Sequence, residues 1–188
     1  GASVGEILSV VPLIKNFEKD KSIGQILVTS STLSSSRVLQ KFKFKKTIHQ
    51  FYPIDNFFLT NKFLRFWKPC IAIFIDSEIW PCMYKNINDK EIPLILLNAR
   101  LTKKTFKKWM ILREFGRTIF NKITIAYPQN FETVKYLKEL KINKIRHLGN
   151  LKFAENFEEN LSKMSPNLKK ELGKKKIWVA SSTHKSEE

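Results

Sequence analysis

The chain has 188 residues, 34 of them Lys or Arg and 17 Asp or Glu, for a net charge of +17. Hydrophobic residues make up 43% and Phe alone counts 15, which supports a packed core and excludes disorder as the overall state. No apolar run approaches the ~20 residues of a membrane span, Cys70 and Cys82 form no CxxC, and His49, His147 and His184 show no HxH or HExxH spacing, so a protein metal site is not expected.

The first element is announced by "GASVGEI" (1–7). Ser3-x-x-Glu6 ahead of Ile7 and Leu8 has the form of a capping box, in which hydroxyl and carboxylate each accept a free backbone N–H. Locally Glu6 reads as a cap or as a catalytic base, and the spacing favours the cap. "IGQILVTS" (23–30) reads as a strand, "SSRVLQKFKF" as a helix and "TIHQFYPI" (47–54) as a strand. "DNFFLTNKFLRFWK" (55–68) sets Phe58, Leu59, Lys62, Phe63 and Phe66 at helical spacing, with Asp55 or Asn56 as N-cap.

"CIAIFID" (70–76) and "IPLILLNA" (92–99) are continuous apolar runs, the pattern of strands buried on both faces. Between them "WPCMY" reads as a loop or helix start. "LTKKTFKKWMILREFGRTIF" (101–120) is helical, with Thr102 as cap and a break near Gly116. Trp67 and Trp109 read as core or interface anchors. "KITIAYP" (122–128) is a strand, "NFETVKYLKELK" (130–141) a helix and "KIRHLGN" (144–150) a strand.

Alternating strands and helices with short connections predict an α/β fold with an open, doubly wound parallel sheet over residues 1–153. From 154 to 176 Glu, Asn and Lys replace apolar residues, the texture of a linker broken by Pro166 and Gly173. "KIWVASSTHKSEE" then begins another strand and loop (177–188), the opening of a second domain. The pattern is that of a chain cut at both ends.

In such sheets ligands bind outside the carboxyl ends of the strands. The segments collected at these ends are "ASVGE" (2–6), "TSSTLSSS" (29–36), "DSEIWP" (76–81), "NARLT" (98–102), "YPQN" (127–130), "GNLK" (149–152) and "SSTHKSEE" (181–188). The serines of 29–36 lack the glycine pattern of a nucleotide fingerprint and also suit a helix cap. Glu78 can orient a substrate hydroxyl or hold its loop shut. Arg100 can pair with Glu78 or bind an anion, and Lys152 can serve an anion or merely begin a helix. The excess positive charge suggests a polyanionic partner, either nucleic acid, an anionic membrane surface or a phosphorylated substrate. Codon bias toward Lys, Asn, Ile and Phe is the other explanation.

Together, "GASVGE", "DSEIWP", "NARLT", "GNLKF" and "WVASSTHKSEE", in this order and at these intervals, resemble the Kdo (3-deoxy-D-manno-octulosonate) transferases of lipopolysaccharide synthesis. The likeness runs from Gly1 to Glu188, roughly the middle half of a family member. It implies the GT-B fold, two Rossmann-like domains facing across a cleft, with the acceptor on the amino-terminal one. It implies inverting, metal-independent transfer of Kdo from CMP-Kdo to a lipid A precursor, with no cofactor, at the cytoplasmic face of the bacterial inner membrane.

Glu6 would be the general base and Glu78 a supporting acid. Ser3, Arg100, Lys152, Ser182, Thr183 and His184 would contact substrate or donor. Asp76 departs from the Glu usual there, Lys185 and Ser186 replace a Glu-Gly pair, and "TLSSS" replaces "TPTGS". The implied partners are lipid A precursor, CMP-Kdo and an anionic membrane surface. Lys62, Arg65 and Lys68 would meet headgroups and Phe57 and Phe58 the interface, unless 55–68 is an ordinary helix packed on the sheet. Alone, the fragment is expected to be inactive. Another GT-B nucleotide-sugar enzyme is the first alternative. A nucleic-acid-binding module is the second, and no RNP, KH or C2H2 pattern supports it, so no specific nucleic acid is expected.

Overall fold

The computed structural model describes residues 4–151. The chain divides into two compact units, Gly1–Glu155 and Asn156–Glu188, and every described residue lies in the first. The elements run α1 (Val4–Lys19), β1 (Ile26–Ser30), α2 (Leu33–Gln40), β2 (Thr47–Phe51), α3 (Phe57–Trp67), β3 (Ala72–Ile75), α4 (Pro81–Asn88), β4 (Leu94–Ala99), α5 (Lys103–Ile111), α6 (Arg113–Phe120), β5 (Ile125–Pro128) and α7 (Phe131–Glu139). This is the expected α/β alternation, and all strand pairs are parallel. Strands β1 and β2 pair with each other, while β3, β4 and β5 form a second ladder in that order. The linker and second-domain segments expected from 154 onward lie outside the described residues.

In α1 the buried Ile7, Val10, Val11 and Ile14 recur at the i, i+3, i+4, i+7 spacing of one helical face. With Leu39 of α2, three of them form a cluster against Ile26 and Val28 of β1, Ile75 of β3 and Leu151. Burying each such side chain contributes about 1.5–3 kcal/mol, so α1 is held by its packing. The larger core lies around β4, where Leu94 and Leu96 meet Met83, Tyr84 and Ile87 of α4, Ile119 and Phe120 of α6 and Leu137 of α7. Asn86 fixes α4 to α3, its amide donating to the Phe57 carbonyl at 2.8 Å and the Thr60 hydroxyl at 2.7 Å.

Four expectations change. The run 92–99 is the central strand and is mostly buried, but every residue of β3 is only half-buried. β3 pairs with β4 alone among the described residues, so its other edge has no strand beside it. Cys70, expected within that strand, is exposed ahead of it. Residues 144–150 make a single parallel bridge, Ala126 to Ile145, rather than a strand. The helix 101–120 breaks at Leu112, at φ −106° and ψ 57°, not near Gly116. Gly116 is buried inside α6, where an added Cβ would lie 3.1 Å from the Trp109 carbonyl oxygen. The glycine permits close approach of α5 and α6 instead of ending a helix.

Candidate functional site

Because β3, β4 and β5 are parallel, their carboxyl ends share one rim. Backbone and side-chain bonds sew the segments of that rim together. The Ser77 hydroxyl donates to the Arg100 carbonyl at 2.7 Å, the Arg100 N–H to the Asp76 carbonyl at 3.2 Å and the Gln129 N–H to the Ala99 carbonyl at 3.0 Å. The Asn98 amide donates to the Asp76 carboxylate. Its carbonyl oxygen accepts the Leu151 N–H at 3.0 Å. Asp76 and Asn98 both occupy the left-handed region, at φ 56° and 53°. Asn98 is also the irregularity in the β4–β5 pairing between Leu97 and Ala99. Bulges and left-handed non-glycine residues collect where a site must be aimed.

Glu78 is half-buried in the loop between β3 and α4. One carboxylate oxygen accepts the Trp80 indole N–H at 2.6 Å, and the Glu78 backbone carbonyl accepts the Tyr84 hydroxyl at 2.8 Å. Tyr84 is fully buried, and burial ahead of the nearby Glu78 charge pushes its pKa well above the ordinary value. Tyr52 packs 4.9 Å from the Trp80 ring, and burial first, then Asp55, raises its pKa too. Both phenols therefore stay protonated at neutral pH and serve as walls of the loop. Glu78 is thus seen holding its loop, one of the two roles open to it.

Arg100 is exposed and does not pair with Glu78. Among the described residues the ion pairs are Lys85–Asp89 and Arg117–Glu114. Glu6 is half-buried in the first turn of α1, where its carbonyl accepts the Ser9 hydroxyl at 2.7 Å. Its helix packs in the cluster that takes up Ile75, the end of β3, and Leu151. Glu78 and Arg100 are thereby brought to one rim through the Asp76–Asn98 pair, and α1 stands beside it. Ser3, Lys152, Ser182, Thr183 and His184 lie outside the described residues. No group of three or more His, Cys, Asp or Glu side chains gathers as metal ligands among the described residues.

Three site-side features went unread in the sequence. Asn98 and Asp76 carry a faint signal, since each is an Asx residue at the end of an apolar run and Asx residues tolerate the left-handed region. His49 of β2 lies between two hydroxyls, with Nε2 2.8 Å from Ser30 Oγ and Nδ1 3.2 Å from Ser36 Oγ. The serine-rich segment after β1 thus grips an imidazole, and Thr32 caps α2 through the Ser35 N–H. Asp55 does not cap its own helix, a role taken by Asn56. It caps α4 instead, accepting the Cys82 and Met83 N–H groups.

Residues 1–155 match the family model described as 3-deoxy-D-manno-octulosonic-acid transferase (kdotransferase). The chain belongs to the Kdo transferase family. The span of the match is also the span of the first compact unit. The chain is 38% identical to the 3-deoxy-D-manno-octulosonic acid transferase of Rickettsia felis, aligned over 100% of this chain and 40% of that protein. It is 32% identical to the probable mitochondrial enzyme of that name from Arabidopsis thaliana, over 99% and 43% respectively. Against the Haemophilus influenzae Kdo transferase the identity is 27%, over 100% and 44%. The chain therefore spans less than half the length of the curated relatives it matches.

Proposed function

We propose that this chain carries the acceptor side of a glycosyltransferase that moves Kdo from CMP-Kdo to a lipid A precursor, with inversion and without a metal ion. The observation that carries the reading is the family match over residues 1–155, combined with a rim on which the Glu78 and Arg100 segments are tied together. In this reaction the acceptor hydroxyl attacks the anomeric carbon of Kdo. The new C–O bond forms as the bond to the CMP phosphate breaks, and a base takes the hydroxyl proton. The phosphate leaves without protonation, so one base in line with the hydroxyl suffices. Glu6 is the proposed base, and Glu78 supports it by holding the Trp80 loop. Arg100, exposed and without an ion-pair partner among the described residues, suits an anionic group of acceptor or donor.

The proposed setting is the cytoplasmic face of the inner membrane. No helix among the described residues is long and apolar enough to cross a membrane. The outer face of α3, however, combines Phe58 (77% exposed) and Phe66 (76%) with exposed Leu59, Lys62 and Arg65. Thr60 and Leu64 bury the opposite face, so α3 is packed on the domain and amphipathic outward as well. Cations beside exposed aromatic rings suit an anionic lipid surface.

The test is transfer of labelled Kdo from CMP-Kdo to a tetraacylated lipid A precursor in anionic vesicles, using the full reading frame that contains this chain. Transfer that persists in EDTA and yields the inverted anomer is the expected result. Failure to use CMP-Kdo while another nucleotide sugar is consumed would move the chain to a different transferase activity.

A further inference from the structure

We infer that Asn98 and Asp76 are the positioning pair of the rim, holding the Glu78 loop, the Arg100 loop and residue 151 in one arrangement. The inference rests on the transferase reading and adds to it two residues that act through others. Asn98 is 3% exposed and its side chain uses both ends, the amide N–H toward Asp76 and the oxygen toward the Leu151 N–H at 3.0 Å. The Asp76 carbonyl in turn accepts the Arg100 N–H at 3.2 Å, and the neighbouring Ser77 hydroxyl binds the Arg100 carbonyl at 2.7 Å. Leu151 then packs against the α1 cluster of Ile7, Val10, Ile14 and Leu39. One buried amide thus links the ends of β3 and β4 to the helix that carries Glu6.

The backbone supports the same conclusion. Two hydrogen-bonded non-glycine residues in the left-handed region are strained relative to extended strand, and such strain persists only where surrounding contacts over-determine it. Without the bulge at Asn98, its side chain would follow the strand alternation instead of turning toward Asp76. Asn and Asp are the side chains that bear this conformation and still hydrogen-bond locally.

The pairing has a distinctive chemical signature. Asn98→Asp sets two carboxylates against each other and removes the donor. The double variant Asp76→Asn, Asn98→Asp restores a donor facing a carboxylate, and the carboxylate now at position 98 still accepts the Leu151 N–H. Asn98→Gly keeps the backbone free to adopt φ 53° but deletes both bonds.

The experiment uses the full-length protein and reads three quantities: kcat with the lipid acceptor, hydrogen exchange at the Leu151 amide, and the melting temperature. Asn98→Asp and Asn98→Gly are expected to speed Leu151 exchange about tenfold and to lower kcat by up to about a hundredfold, the scale of a 1 Å misplacement. The double variant is expected to recover both to within a few-fold. Kinetic losses that simply follow melting temperature across the set, or a double variant no better than Asn98→Asp, would overturn the inference. If the parent protein transfers no Kdo yet Leu151 exchange still follows the exchange of partners, the transferase reading falls and the tie between the three segments stands.

Discussion

The carboxylate of Asp55 accepts the backbone N–H of Met83 at 2.9 Å, so the start of α4 is capped from the turn before α3. It also accepts the Cys82 N–H at 3.1 Å. The residue at the N-cap position itself, Trp80, makes no side-chain cap bond. Two N–H groups thus depend on a residue distant in sequence. Asp55→Ala is expected to destabilise the fold by about 1 kcal/mol, with an upper range near 2, measured as a shift in the urea midpoint at constant slope. Asp55→Asn, which retains a carbonyl oxygen, is expected to lose less than half as much. Equal losses for the two would place the effect in charge and not in the cap.

The loop that follows β3 offers a second comparison. Glu78 binds the Trp80 indole at 2.6 Å, a charge-assisted bond about twice as strong as a neutral one. Glu78→Gln preserves an acceptor for the indole, whereas Glu78→Ala leaves that donor without one, at a cost of about 1–3 kcal/mol. Turnover is expected to stay within a few-fold of the parent in Glu78→Gln. It is expected to fall by about tenfold in Glu78→Ala, where Trp80 loses its anchor. Equal, large losses in both would show that the charge acts directly on the substrate.

Strand positions 94–99 and 125–128 are readable because each is a largely apolar stretch of the kind a parallel sheet requires, and 26–30 because it opens on Ile-Leu-Val. The helix of 57–67 follows from apolar spacing and the Asn56 cap. Two of the failures share a cause, namely that the deciding contact lies on another element. Gly116 reads as a breaker because its partner, the Trp109 carbonyl, is visible only after α5 and α6 fold together. Asp55 reads as an equal candidate with Asn56 for the local cap because its real partners lie 27 and 28 residues on. Of the rim, Glu78 and Arg100 can be collected by their places after strands, yet Asn98, the residue that ties their loops, sits in an apolar run as an apparently ordinary polar position.

His49 gives the fold a pH dependence. Burial lowers the imidazole pKa below its ordinary value, and both ring nitrogens already face the hydroxyls of Ser30 and Ser36. The native state therefore resists protonation more than the unfolded chain. Above about pH 6.5 both states are neutral at this residue and it contributes no pH dependence. Below that pH the unfolded chain binds the proton first, so stability falls with pH until the native imidazole also titrates. Unfolding free energy measured from pH 8 to pH 5 is expected to decline more steeply in the parent than in His49→Gln. Parallel curves would remove His49 from the cause.

The outward face of α3 makes a separable prediction about lipid binding. Phe58 and Phe66 are exposed, so replacing both with Ser removes little packing and is expected to change stability by less than about 0.5 kcal/mol. Cosedimentation with vesicles containing anionic lipid should nonetheless fall several-fold, and Lys62→Glu with Arg65→Glu should abolish its dependence on anionic content. Exposed Ile111 and Leu112, at the α5–α6 break, offer a control patch. Should their substitution weaken vesicle binding while the α3 variants bind normally, the contact surface lies at that break and not on α3.

The sharpest test concerns Glu6. Its place in the first turn of the sixteen-residue α1 gives it a structural role as a carboxylate near the positive end of the helix dipole, worth about 0.3–1 kcal/mol. Its proposed chemical role is to remove the proton from the acceptor hydroxyl. The two roles predict different patterns. Glu6→Gln removes the charge but keeps the shape, and a lost dipole interaction alone would lower stability slightly with turnover intact. Loss of a general base is expected to lower kcat by about 10²–10⁴-fold. Retention of the parental rate in Glu6→Gln would return Glu6 to the role of a helix-end charge and require another base on the rim.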